Sequence, residues 1–447
     1  MFKKISSNNS LIVFLIVTGV LLRIQLLTVN PPNNTFDDHL EVIKYYAETN
    51  QRPAPFKCWE CYQPPAYYFL SSFVYNVSNN LNLDEISRWK IVQTINILFS
   101  IAIILVALKI LLLFNIDRFI VALCISFIIS FPRDLFTSSI IGNDYMLVFC
   151  SILCFYLFLK SLINFQKKRF FLSYFIGLVL IATLGDLTKQ QGLILFCFPF
   201  LLFLSTTRKS TPKQFIIQII ILFLGGAACI YEEYWKYNQT GIMLVSNQHF
   251  FNYASNQFPG SLAKVEFLTF RIINLMSFPF LSNDTSASFF TEIFARSFFD
   301  YEWRFISPDI KESFIAGRFS YLTGLTWILL GLYATIQYIK KLKNNLNTSS
   351  NYNLLIPILV SLLFFCVPLM QTIRFPYFSS MKSMFMLSGI LIYIICMGSQ
   401  LETSSKMKKL GYLMIFINVI NAITLVYSIS ENIHKSIANL SGPLWPI

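Results

Sequence analysis

The chain returns repeatedly to apolar stretches of close to 20 residues, the length that carries an α-helix across roughly 30 Å of hydrocarbon. These windows are 11–29, 91–114, 118–136, 146–163, 170–187, 191–207, 214–230, 319–339, 353–370, 383–399 and 410–429. Apolar residues run continuously inside them instead of alternating, which predicts helices and argues against a β-barrel. With 55% hydrophobic and 13% charged residues in 447, the reading is an all-α polytopic membrane protein, one membrane domain over 1–447 with about eleven transmembrane helices. The first window is too long for a removed signal peptide and is read as an anchor.

Orientation follows from where Lys and Arg fall in the short connections. Lys3, Lys4, Lys109, Arg118, Lys160, Lys167, Lys168, Arg169, Arg208, Lys209, Lys213, Lys340, Lys341, Lys343, Lys406, Lys408 and Lys409 occupy alternate connections if the N-terminus is cytoplasmic. They are nearly half of the 35 basic residues, so the net charge of +13 is chiefly an orientation signal. Dispersed over inner loops, it does not point to nucleic acid. Of the 22 acidic residues, only Asp117 and Glu402 fall inside, so polar chemistry is expected on the extracytoplasmic side.

The first outer connection, 30–90, carries the densest set of chemical groups. Asp37 and Asp38 precede a helical pattern in Leu40, Ile43 and Ala47, with Val42 and Tyr46 beside it. An acid here can accept a proton from a bound hydroxyl, cap the helix, or take part in a cation or transport site. His39 offers a proton acceptor or donor, but a lone His is no metal centre and more often serves packing. Cys58 and Cys61 flank CWEC, open to three readings: a short disulfide, two reduced thiols, or a two-thiolate share of a metal site. Pro64 and Pro65 introduce AYYFLSSFVYNV, read as a second helix lying at the membrane surface.

Three further outer connections add groups. Arg133, Asp134 and Asp144 lie in 132–144, where Arg133 has Asp134 as a ready partner and Asp144 can cap the next helix or orient an acceptor. Lys189 and Gln190 occupy the short GDLTKQQG turn, and Arg374 and Lys382 lie in 371–383. Lys189 and Arg374 are the strongest candidates for a phosphate clamp, with headgroup contact as the plainer role. The large connection 231–318 reads as a partly folded loop, with Glu232 and Glu233 at its start and Trp303 and Arg304 as a rim contact. No nucleotide-binding, zinc-protease or nucleophile-elbow motif is present.

Three of these segments resemble motifs of the GT-C superfamily, especially membrane glycosyltransferases of the protein O-mannosyltransferase and aminoarabinose-transferase kind. FDDHLEVIKYYAE looks like the acidic motif of their first outer loop, YQPPAYYFL like their proline-pair segment, and LTKQQGLILFCFPFLLF like their polar turn entering a hydrophobic span. The resemblance implies a polyprenyl- or dolichyl-phosphate-linked sugar donor and a hydroxyl-bearing glycan, lipid or protein acceptor. Asp37 would be the catalytic base, and Asp38, His39, Arg133, Asp144, Lys189, Gln190 and Arg374 the substrate-binding set. Gln63 stands where the family often has histidine or lysine, so a positive donor contact must come from elsewhere. No cofactor is implied with certainty, although a divalent metal is compatible with the acidic motif. The expected location is a bacterial inner membrane, with membrane lipids as neighbours. A polytopic lipid or glycan transporter is the alternative, and it calls for a polar path reaching the inner face.

Overall fold

The computed structural model describes residues 7–34, 37–166, 171–207, 210–250, 267–286, 288–344, 354–374, 381–401 and 404–436, whose regular elements are all helices. Among the described residues, seven helices are long and apolar enough to cross a membrane. They are Asn8–Val29, Glu85–Leu113, Asp144–Gln166, Pro212–Thr240, Lys311–Lys343, Leu355–Ile373 and Ser405–Ile429. An eighth is broken: Arg118–Ser130 and Pro132–Ser138 meet at 52°. Pro132 causes the break, since it donates no backbone hydrogen bond and forces Phe131 out of helical geometry, to φ −61°, ψ 115°. The other three windows of the eleven fall on shorter apolar helices: Phe171–Asp186, Gln190–Thr206 and Ser383–Gly398.

In chain order, α1 is Ser7–Val29, α2 His39–Thr49, α3 Ala66–Asn80, α4 Glu85–Leu113, α5 Arg118–Ser130, α6 Pro132–Ser138, α7 Asp144–Gln166, α8 Phe171–Asp186, α9 Cys197–Thr206 and α10 Pro212–Thr240. The axis of the bundle is α5, every residue of which from Phe119 to Ser130 is buried. A helix apolar on all faces needs neighbours on all faces. α1, α4, α6, Leu387–Gly398 and Ser405–Ser436 supply them.

Two ends of the bundle are chemically distinct. At one end Lys408 pairs with Asp117 at 3.2 Å, Tyr412 donates to Asn8 at 3.0 Å, and Lys341 donates to the Gln400 carbonyl at 3.3 Å. These are residues of the basic connections. At the other end, roughly 35 Å along α1 at 1.5 Å per residue, α2 and α3 of the 30–90 connection pack on each other and α3 leans on α4. The outer connection after α10 is shorter than its sequence suggests, because α10 runs on to Thr240 and the next long helix already begins at Lys311.

A buried polar network ties the helices together just below that outer end. Arg23 of α1, fully buried, donates to Ser100 of α4, to Asp134 of α6, and to the carbonyls of Gly19 and Ile129 at 3.1 and 3.2 Å. Tyr145 of α7 donates to the same Asp134 at 2.5 Å. Asp134 is therefore the partner of Arg23, not of its neighbour Arg133. A guanidinium among apolar helices is stable only with such a full set of acceptors.

Removing one member strands the other. Arg23→Met is expected to destabilise the protein by about 3–5 kcal/mol, the range for breaking a buried ion pair. Arg23→Met with Asp134→Asn should cost less than the sum of the two single changes. Unfolding in nanodiscs measures both, and an unchanged midpoint for Arg23→Met would remove the network from the account.

Candidate functional site

Asp37 lies just before α2, and its carboxylate accepts both contacts of Lys382, Nζ to Oδ1 at 3.1 Å and to Oδ2 at 3.0 Å. Lys382 enters the turn Ser383–Met386 at the outer end of the short helix Leu387–Gly398. The pair thus joins the first and last outer connections. Asp37 stays 18% exposed and Lys382 13%, so the carboxylate opens to the mouth of the bundle. Burial alone pushes the Asp37 carboxyl up, but the charges of Lys382, His39 and Arg304 and the Lys382 hydrogen bond outweigh it and hold the group below its ordinary 3.8.

Asp38 occupies the residue before α2 but makes no capping hydrogen bond, so the helix-cap role is not the one it takes. It is exposed, and partial burial together with the charge of Asp37 raises its carboxyl. His39 turns inward: only 3% exposed, it places Nδ1 2.7 Å from the Tyr68 hydroxyl and stacks on that ring. Burial lowers the imidazole to about 4, so it is neutral at pH 7. Gly142 leaves it room, since a β-carbon there would lie 3.1 Å from His39 Cδ2. His39, Asn96, Thr137, Ile140, Gly142, Asp144 and Met384 enclose a cavity of about 10 Å³, the room one water needs.

Asp144 and Lys189 form a second, more enclosed pair at 2.6 Å. Asp144 opens α7, while Lys189 is held extended between α8 and the turn Gln190–Phe196, its Nζ 4.9 Å from the centre of the Phe385 ring. Both acids and both lysines therefore meet at one end of the bundle, with His39 subject to all four charges.

The remaining candidates diverge. Arg133 is buried and donates to the Arg296 carbonyl at 2.8 Å and to Ser383 Oγ at 3.0 Å, which fastens the outer platform beneath the site. Gln190 donates to Glu233 of α10 at 3.1 Å, on the side of the rim where Arg52 forks onto Glu232. Arg374 ends the helix Leu355–Arg374, and its side chain lies outside the described residues. Cys58 and Cys61 are joined by a disulfide, both buried. Among the described residues no three His, Cys, Asp or Glu side chains cluster as a metal site.

Several functional residues escape the candidate set. Lys382 is visible in sequence only as one of two cations in the 371–383 connection, 345 positions from its partner. Glu60, inside the disulfide, is 3% exposed and interacts with Asp37, Lys189 and Lys382. Beyond Lys382, Phe289–Phe298 and the residues after it form a buried platform. There Arg296 bridges Glu292 at 2.7 Å and Glu302 at 2.9 Å, and Tyr301 donates to Glu292 at 2.6 Å. The signal for Arg23 is plain in retrospect: a lone cation inside an apolar window.

No family model matches the chain, and no curated protein matches it. Among solved structures it is similar to the oligosaccharyltransferase AglB from Archaeoglobus fulgidus in complex with an inhibitory peptide and a dolichol-phosphate. That match has 12% identity and a TM-score of 0.49, over 97% of this chain and 56% of that one. The apo form of the Archaeoglobus fulgidus enzyme gives 13% identity and a TM-score of 0.46, over 98% and 57%. ArnT from Cupriavidus metallidurans in the apo state gives 12% and 0.39, over 99% and 82%. The chain spans little more than half the length of the archaeal structures.

The Asp37–Lys382 contact fixes a pH response. A carboxyl held below its unfolded value stabilises the fold above about pH 3.8 and loses that contribution as pH falls through the lower folded value. Carbon-13 NMR of labelled aspartate, assigned by comparison with Asp37→Asn, should give a midpoint below 3.8 that rises in Lys382→Met. An unmoved midpoint in Lys382→Met would mean that the lysine is not the counter-ion.

Proposed function

We propose that the protein is a GT-C-type membrane glycosyltransferase that takes a sugar from a polyprenyl- or dolichyl-phosphate-linked donor and gives it to a hydroxyl acceptor at the extracytoplasmic face. The observation that carries the reading is the partly exposed, ionised Asp37 at the outer mouth, held by a flexible lysine at the end opposite the basic connections. The motif resemblance at Asp37, at the proline pair and at Lys189 supports it from sequence. Eleven crossings, with the three short apolar helices completing the count, a cytoplasmic N-terminus and an inner-membrane location belong to the same proposal.

The chemistry follows from the pair. A donor phosphate competes with Asp37 for Lys382, because a phosphate oxygen is a strong acceptor for an ammonium point charge. Once Lys382 turns to the phosphate, Asp37 loses the charge that depresses it and becomes a better base. It then takes the proton of the acceptor hydroxyl while that oxygen attacks the anomeric carbon. The bond from the anomeric carbon to phosphate oxygen breaks, its electron pair leaves with the lipid phosphate, and Lys382 compensates the charge that develops there. One displacement inverts the anomeric centre. Lys189, paired with Asp144, contributes field to the mouth, and Arg374 is the further cation of the last outer connection.

Purified protein in nanodiscs, offered a panel of polyprenyl-phosphate sugars, tests the reading. Asp37→Asn and Asp37→Ala should each lower transfer by about 10²–10⁴-fold, the usual worth of a general base, with folding unchanged. Full transfer by Asp37→Ala would dismiss Asp37, and substrate translocation without transfer would favour the transporter.

A further inference from the structure

The mouth contains a second carboxyl that this mechanism does not use. Glu60 sits between Cys58 and Cys61, whose bridge closes the CWEC turn and turns the acid inward, 3% exposed. Its Oε2 accepts from the Gln63 amide at 2.9 Å, and the same amide nitrogen lies 2.8 Å from the Tyr62 hydroxyl. The charges that act on Glu60 are those of Asp37, Lys189 and Lys382, and Glu60 in turn acts on the hydroxyls of Tyr62 and Tyr68.

We propose that Glu60 is a positioning residue that governs donor binding by carrying a proton: neutral, it leaves the lysines' positive field to the donor's phosphate, and ionised, it sets a second negative charge beside Asp37 and repels that phosphate. This rests on the glycosyltransferase reading and deepens it. The count of charge explains the effect. The pairs Asp37–Lys382 and Asp144–Lys189 each balance, so the ionisation of Glu60 adds one negative charge that neither pair compensates. Burial is the chief cause that lifts Glu60, to about 8, with Asp37 adding to it and Gln63, Lys189 and Lys382 opposing. Between the ordinary 4.5 and about 8 the folded protein therefore holds a proton that the unfolded chain does not. Stability from this group is full below pH 4.5 and falls as pH rises to about 8.

The full chain in nanodiscs supplies two separate readouts. Infrared spectroscopy should find a protonated-carboxyl band that disappears as pH passes about 8, is absent in E60Q, and shifts to higher pH in Gln63→Met, which removes the opposing hydrogen bond. Polyprenyl phosphate binding should weaken between pH 7 and pH 9 by about tenfold more in the wild type than in E60Q, the size expected of one like charge at an effective dielectric near 20. Ionisation of the lipid itself is common to both proteins and cancels in that ratio. If E60Q does not fold, the Gln63→Met shift carries the test alone. No carboxyl titration near 8, or the same pH dependence of binding in E60Q, overturns the proposal. A titration that E60Q abolishes, with no polyprenyl phosphate binding at either pH, overturns the donor reading and this role together while leaving the proton on Glu60.

Discussion

An ionised side chain among apolar helices costs several kcal/mol unless its opposite stands beside it, and that requirement organises this bundle from its interior to its mouth. Arg23 meets Asp134 deep between α1 and α6, Lys189 meets Asp144 nearer the surface, and Lys382 meets Asp37 where the bundle opens. Exposure rises in that order, from fully buried to about one-fifth. The deepest pair is locked by further hydrogen bonds from Arg23 to Ser100 and from Tyr145 to Asp134. The outermost is the most exposed of the three. A gradient of this kind separates a structural pair from one able to exchange partners.

On the proposed reading, that contrast gives the Asp37 end its chemistry. Lys382 reaches Asp37 with two similar contacts from a single ammonium, an arrangement that an incoming phosphate can replace without rebuilding the helices. Asp37 is an acid whose basicity depends on where one lysine points. Neutral His39 and the proton-bearing Glu60 add no charge of their own at pH 7. The opposite end offers nothing comparable among the described residues, only surface pairs such as Lys408 with Asp117.

The architecture was legible because lipid imposes length: the apolar windows fall on helices, and among the described residues Lys408, Asp117 and Lys341 of the basic connections lie at the end away from Asp37 and Lys382. Length also explains the mismatch in span count, since Pro132 breaks one window and three others make short helices. The acidic motif stood out because carboxylates so close to a span are rare. Side-chain pairing was not readable. Asp134 is adjacent to Arg133 in sequence, yet their neighbouring positions on a helix point them to different partners, Arg23 and the Arg296 carbonyl. Lys189, a phosphate-clamp candidate in the sequence, pairs with Asp144, 45 positions away. Lys382 lies 345 positions from Asp37, and periodicity carries no information across that distance.

The most direct test is a structure of the full chain in nanodiscs with polyprenyl phosphate bound. The account predicts the lipid phosphate at the outer end within hydrogen-bond distance of Lys382, with the Asp37 carboxylate released and facing open space for an acceptor. A phosphate seated instead at the Lys408–Asp117 end, or one bound while Lys382 remains on Asp37, would contradict it.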